Sequence, residues 1–451
     1  MRSGSRFGIS DLGLGIGVCF ALFLAHNAFA LIPTPEFTDH PIPDVTTPAA
    51  PGSAWAWIDV GVLVVCLALA SYLALKSRWR RGLFLLTVFC LLYFGFFRRG
   101  CVCPIGGIQN VSLAACDAGY AIPLGVLAFV LIPLLFTLAF GRTFCASVCP
   151  LGAVQELLCI RSLKVPRWLD DALGLIPFFY LGGAVVLAAT GTAFLICRYD
   201  PFVPVFRLAG ETDMLIFAGS FLVLSLIIGR PYCRWLCPLG AVFSVCSRVA
   251  WRHATIPPKE CIQCRLCEDA CPYGAIEEPV EPPSYASRRR GRRRLWWLCA
   301  ATPPTLAVFA WLGYAFGPLL VEFSLDAKTA GALAAETRAA DESNEGGPGY
   351  AASGFDALTD YFHKHDGDAA ALAARIEEKR RSFVWWGLAL GLWFGVVVLA
   401  KLFALSVRPP NPDYRPNQPR CVSCGRCYWY CPCEQVRLGL ISDVSEVVPP
   451  R

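Results

Sequence analysis

Eight cysteines of this chain fall into two copies of one string, Cys261-x2-Cys264-x2-Cys267-x3-Cys271-Pro272 and Cys421-x2-Cys424-x2-Cys427-x3-Cys431-Pro432. This is the spacing of thiolate ligands to [4Fe–4S] clusters. Three closely spaced thiolates wrap three corners of a cubane. The fourth, set just before a proline, reaches across to the other cluster. The expected ligand sets are therefore Cys261, Cys264, Cys267 and Cys431 for one cluster, and Cys421, Cys424, Cys427 and Cys271 for the second. A zinc site would use C-x2-C pairs with longer gaps and commonly a histidine. Disulfide-rich modules are the plain alternative, and the repetition of a single spacing argues against them.

A second cysteine pattern lies in the apolar part of the chain. Gly141-Arg142-Thr143-Phe144-Cys145-x3-Cys149-Pro150-Leu151-Gly152-Ala153-Val154 recurs as Gly229-Arg230-Pro231-Tyr232-Cys233-x3-Cys237-Pro238-Leu239-Gly240-Ala241-Val242. C-x3-C sets both sulfurs on one helical face, and the following proline is suited to opening the next helix. Cys145, Cys149, Cys233 and Cys237 suit a metal centre or dithiol exchange. They equally suit a structural turn that docks another module. A degenerate third copy, Arg99-Gly100-Cys101-Val102-Cys103-Pro104, is expected on the opposite membrane side with Cys116 and Cys197, where thiols pair or exchange. Cys101 and Cys103 thus join the candidate redox or metal thiols. Cys19, Cys66, Cys90 and Cys299 lie in apolar runs and read as small hydrophobes. Cys159, Cys246 and Cys433 have no assigned role.

The elements that must position these thiols are mostly apolar. Of 451 residues, 55% are hydrophobic and only 16% charged, against about 25% in a soluble domain; mean hydropathy is +0.50. Runs near the ~20 residues a bilayer needs occur at Trp55–Leu75, Leu83–Phe97, Ala121–Phe140, Leu173–Ile196, Asp213–Gly229, Leu295–Leu319 and Phe383–Val407. Basic residues mark alternate ends. Lys76, Arg78, Arg80 and Arg81 close the first run, and an arginine run from Arg288 to Arg294 opens the sixth. By the positive-inside rule these ends face the cytoplasm, so both iron–sulfur strings are expected there. The net charge of +6 is accounted for by such anchoring and does not indicate nucleic-acid binding. No histidine but His26 falls in an apolar run, which excludes a haem held by two histidines inside the bilayer. His363 and His365 stand two apart, on different helix faces, and read as solvated surface.

The fold class expected is an all-α polytopic membrane protein of about seven transmembrane helices, carrying a small cytoplasmic α+β module of the bacterial two-cluster ferredoxin type. Residues 1–30 read as a signal peptide or N-terminal anchor, with Ala28-Phe29-Ala30 as a cleavage site. Residues 31–53 read as an extracytoplasmic linker, 54–254 as the transmembrane bundle and 255–282 as the first ferredoxin half. A transmembrane pair at 283–407 flanks an extracytoplasmic segment at 320–382. The second half follows at 408–440, then a tail at 441–451.

With both repeats in one chain, residues 55–440 resemble the membrane polyferredoxins related to NosR and NapH. The resemblance implies an inner-membrane protein that takes electrons from the quinol pool for a respiratory or maturation pathway. Larger members carry FMN on a threonine of an S/T-G-A-T motif; that motif is absent here, and FMN is not expected on this chain. The function expected is one-electron transfer from quinol or a redox partner through two [4Fe–4S] clusters, by an electron carrier or oxidoreductase subunit rather than a stand-alone enzyme. Aromatics Tyr428, Trp429 and Tyr430 between the last ligands are placed to shield a cluster. The alternatives are a membrane redox sensor, or an assembly factor for an extracytoplasmic metalloenzyme.

Overall fold

The computed structural model describes residues 53–444 apart from 101–102, 161, 210–211, 257–260, 281–284, 345–358, 360–361, 365–366 and 408–409. The expected leader at 1–30, nearly all of the linker, Cys19, His26, Cys101 and His365 lie outside the described residues.

Apolar runs wind into helices because a helix satisfies every backbone donor and acceptor internally, which a bilayer demands. In chain order the main ones are α1 (Ser53–Tyr72), α2 (Arg80–Cys90), α3 (Pro104–Cys116), α4 (Leu124–Phe140), α5 (Pro150–Leu158), α6 (Ile176–Ala189), α7 (Thr212–Ile227), α8 (Pro238–Cys246), α9 (Tyr285–Phe316), α10 (Leu325–Asn344) and α11 (Ala369–Ser406). Among the described residues, five stretches are long and apolar enough to cross a membrane: Ala54–Ser77, Arg80–Phe97, Arg167–Ala189, Arg288–Phe323 and Ala369–Ser406. They cover five of the seven expected spans. The other two appear as α4 and α7, of 17 and 16 residues. At ~1.5 Å per residue these reach only about 24–26 Å, short of the ~30 Å hydrocarbon layer.

The cysteine-proline turns pack into the buried core of this bundle. Phe144, Cys149 and Leu151 of the first repeat and Tyr232, Cys237 and Leu239 of the second, with Phe243 just after it, are buried in one core with Leu67, Cys66 and Cys90. Each Cys-Pro pair starts a helix in the same way. A residue before proline is pushed to extended backbone, so Cys103, Cys149 and Cys237 become N-caps (ψ 116°, 115° and 114°), with Pro104, Pro150 and Pro238 opening α3, α5 and α8. Cys431 does the same for the helix Pro432–Arg437. The degenerate third copy thus shares the local geometry of the other two.

Two long helices join the halves of the iron–sulfur module. α9 and α11 pack through facing glycines: a Cβ on Gly317, just past α9, would lie 2.5 Å from the Phe383 carbonyl oxygen and 2.9 Å from Gly387 Cα. Such close backbone approach is how helices associate in lipid, where burial against a neighbour gains nothing over burial in tails. α11 begins at Ala369, outside the apolar run, and continues unbroken into it. Asp368 caps it, accepting from the Ala370 and Ala371 amides at 2.9 and 3.2 Å. His363 is exposed, 3.4 Å from Glu336.

The module itself is interleaved. β1 (Ile276–Glu277) follows the first cysteine string, β2 (Arg415–Pro416) precedes the second, and they pair antiparallel with Ile276 opposite Pro416. A further bridge joins Val280 and Asn411. Each half contributes one strand, so neither sheet nor core exists without both.

Candidate metal centre

The first string and the end of the second meet around a cavity lined by Cys261, Cys264, Cys267, Cys431 and Cys433, with Ile256 and Tyr414. Burial, then the neighbouring thiols of Cys264, Cys431 and Cys261, push the Cys267 thiol up to about 12. Around the other set, Cys271, Cys421 and Cys424 pack together against Tyr273, Ala275 and Val422. Burial, then Cys424 and Cys271, push Cys421 up to about 12. Cys427 is raised by burial and by Cys421, Cys424 and Cys271. In both sets the proline-preceding cysteine of one string stands with the first three of the other. Cys433, given no role by its position in the sequence, lines the first cavity.

These residues fit iron–sulfur centres by the chemistry of the donors: soft sulfur in a largely apolar surround of Ile276, Tyr414 and Tyr428. Among the described residues no three histidine, cysteine or acidic side chains converge closely enough to hold a single ion. The four thiolates of a cubane each reach a different iron, so they need no common focus. Iron is bound by the thiolate form, so cluster assembly must displace the protons of these thiols.

The membrane repeat lies against the second set. Cys145 packs on the same residues as Cys271, Cys421 and Cys424. Burial first, then Cys233 and Cys145, raises Cys149; burial, then Cys233 and Cys149, raises Cys237. Burial likewise takes Cys233 to about 11, although Arg230 opposes it and Gln155 Nε2 donates to its sulfur at 3.3 Å. The four thiols of the repeat are therefore mutual neighbours. Cys103 belongs to the same packed region and also bears on Cys149. It lies near Cys197, whose sulfur would be 3.0 Å from a Cβ on Gly106. The third copy thus packs onto the other two. Cys116 is exposed at the end of α3. Cys66 and Cys90 are buried and Cys299 is exposed.

The docking residues were not singled out by spacing, though the repeated Gly-Arg pairs signalled them. Arg142 Nη1 donates to the Pro419 carbonyl at 2.8 Å, just before Cys421, and its Nη2 lies 3.9 Å from Cys145 Sγ. Arg230, 2% exposed, donates to the carbonyls of Cys145 and Ala146 and pairs with Glu156 at 3.1 Å. Arg426, between Cys424 and Cys427, reaches Glu156 at 2.7 Å. The Tyr273 hydroxyl donates to the same carboxylate. Burial alone would raise Glu156, yet Arg230 and Arg426 hold it down at about 2. On another side, Arg78 pairs with the fully buried Glu434 at 3.0 Å and stacks over Tyr428. Asp170 gathers Arg234 at 2.7 Å, Arg420 at 3.2 Å and the Trp235 indole N–H at 2.9 Å.

A family model described as a 4Fe-4S binding domain matches residues 122–167 and 212–257, which contain the two C-x3-C-P copies. A second, of the same description, matches 254–277 and the first ferredoxin string. The chain is 34% identical over 155 residues to protein NirI of Paracoccus denitrificans, covering 31% of this chain and 22% of NirI. It is 30% identical over 190 residues to an uncharacterized protein of Methanocaldococcus jannaschii, covering 40% of this chain and 77% of that one. The regulatory protein NosR of Stutzerimonas stutzeri is 26% identical over 255 residues, 48% of this chain and 33% of NosR. The chain thus spans most of the archaeal relative but only a minor part of NirI and NosR. No solved structure matches it. Motifs, helices and relatives agree: the chain belongs to the NosR/NapH-like family of membrane proteins that bind [4Fe–4S] clusters.

Proposed function

We propose that this protein is a membrane electron carrier that takes electrons from quinol, or from another redox subunit, through two [4Fe–4S] clusters in a cytoplasmic ferredoxin module. One cluster is assigned to Cys261, Cys264, Cys267 and Cys431, the other to Cys421, Cys424, Cys427 and Cys271. The observation that carries this reading is the crossing of the strings, each fourth cysteine standing with the other string's three. Such clusters, when bound, supply one-electron chemistry at potentials tuned by charge, hydrogen bonds and exposure.

The chain's own residues have definite tasks in this scheme. Tyr414, Tyr428 and Ile276 keep water from the thiols. Arg142, Arg230 and Arg78 hold the module against the bundle. Cys145, Cys149, Cys233 and Cys237 lie between the bundle core and the second ligand set, and are assigned as redox or metal thiols that connect quinol to the clusters. An inner-membrane location with the module inside follows from the basic ends of the spans. In this scheme residues 54–254 form the transmembrane bundle, 255–282 and 408–440 the two ferredoxin halves, and 283–407 the transmembrane pair with its extracytoplasmic segment at 320–382.

Purified protein in lipid, treated with a quinol analogue and followed by EPR, tests the scheme. Both clusters should become reduced. Serine at all four repeat positions should abolish that reduction while about eight irons per chain, the content of two cubanes, remain. Failure of quinol to reduce the parent protein would remove the carrier role and leave a regulator or assembly factor. Unchanged reduction in the serine variant would leave the repeat thiols as structure.

A further inference from the structure

Resting on the assignment of Cys271, Cys421, Cys424 and Cys427 to one cluster, we propose that Glu156 is a positioning residue that clamps this ligand set to the membrane repeat and lowers the reduction potential of that cluster alone. One carboxylate here ties together four separate segments. It accepts from Arg230 of the second repeat (3.1 Å), from Arg426 between Cys424 and Cys427 (2.7 Å), and from Tyr273, two residues after Cys271, while itself following the first repeat. Its side chain is 14% exposed and that of Arg230 only 2%.

The two repeat copies match through Val154 and Val242, then diverge: Gln155-Glu156 in one, Phe243-Ser244 in the other. Gln155 accepts from the Tyr232 amide at 3.0 Å and donates to Cys233. Both residues of the divergent pair therefore bind the opposite copy. The near-symmetric repeat is made asymmetric at the point where it touches the module.

The charge is specific in its reach. Two of its partners, Arg426 and Tyr273, flank Cys424, Cys427 and Cys271 of the second set. Its remaining partner, Arg230, belongs to the membrane repeat, so among the described residues none of the donors that fix this carboxylate comes from the segment bearing Cys261, Cys264 and Cys267. A fixed negative charge in a low-dielectric setting opposes addition of an electron nearby, and net charge is one of the quantities that sets cluster potentials. Neutralising Glu156 also leaves Arg230 and Arg426 uncompensated, which acts in the same direction.

The test is redox-titrated EPR on full-length Glu156→Gln, with iron and sulfide content measured alongside. The EPR signal of the second set is identified as the one lost in Cys271→Ser. That signal should move to higher potential in Glu156→Gln and stay near the parent value in Glu156→Asp, which keeps the charge. The other signal should not move. An unmoved signal, equal movement of both, or the same shift in the Asp variant would overturn the proposal. Should Glu156→Gln fail to assemble, Tyr273→Phe supplies the reading. It strips one donor from the carboxylate without changing charge, so the same signal should fall, and no movement would overturn the proposal. If Cys271→Ser removes both signals or neither, the ligand assignment has failed, a result separable from any shift at Glu156.

Discussion

The crossing of the two strings predicts a pattern of iron loss that string-by-string ligation cannot produce. Cys271→Ser removes a thiolate from the set of Cys421, Cys424 and Cys427, so iron should fall from about eight to about four per chain. The pairing of variants then discriminates. Cys271→Ser with Cys424→Ser strikes one cluster twice and should retain about four irons. Cys271→Ser with Cys264→Ser strikes both clusters and should retain almost none. This is a double-mutant cycle in which residues sharing one centre are non-additive and residues of separate centres add. Cys271 is the better probe than Cys431, because a further thiol, Cys433, lines the cavity of the first set beside Cys431. Iron and acid-labile sulfide analysis with EPR reads the result. About four irons in the Cys271–Cys264 pair and almost none in the Cys271–Cys424 pair would refute the crossed assignment.

Three further outcomes follow from other parts of the fold. Gly317→Ala places a Cβ 2.5 Å from a carbonyl oxygen of the facing helix, so the hairpin must part; a loss of about 1–3 kcal/mol is expected in denaturing-detergent titration. Glu156 has a folded pKa of about 2 against an ordinary 4.5. Its stabilisation is therefore complete above the unfolded value and is lost as pH falls from about 4.5 toward 2. It amounts to roughly 3 kcal/mol, read as a gap between parent and Glu156→Gln at neutral pH that closes in acid. Reporter fusions after Arg294 and after Val407 should be active only as cytoplasmic reporters, and one near Asp341 only outside; a reversed result at any of them means a span must be added or removed.

Cysteine spacing and apolar run length determined a good deal without the structure. C-x2-C-x2-C-x3-C-P is a local constraint: a short loop and one helical turn deliver three thiols, whatever surrounds them. The Cys-Pro pairs likewise predicted helix starts at Pro150 and Pro238, because proline restricts the residue before it. The long apolar runs at 54–77 and 369–406 had few other ways to satisfy their backbones. The two marginal runs were less legible, since length alone cannot tell a short span from a helix that does not cross. Other features depend on residues far apart in the chain, and no local pattern encodes them. The burial of the C-x3-C-P turns in the bundle core, the strand pairing of Ile276 with Pro416, and the meeting of Cys145 with Cys424 are of this kind. So is the carboxylate of Glu156, which the sequence presents as an ordinary helical glutamate. Only the tertiary fold brings it Arg230 from 74 residues away and Arg426 from 270, and a buried charge acquires its role from partners that the fold alone assembles.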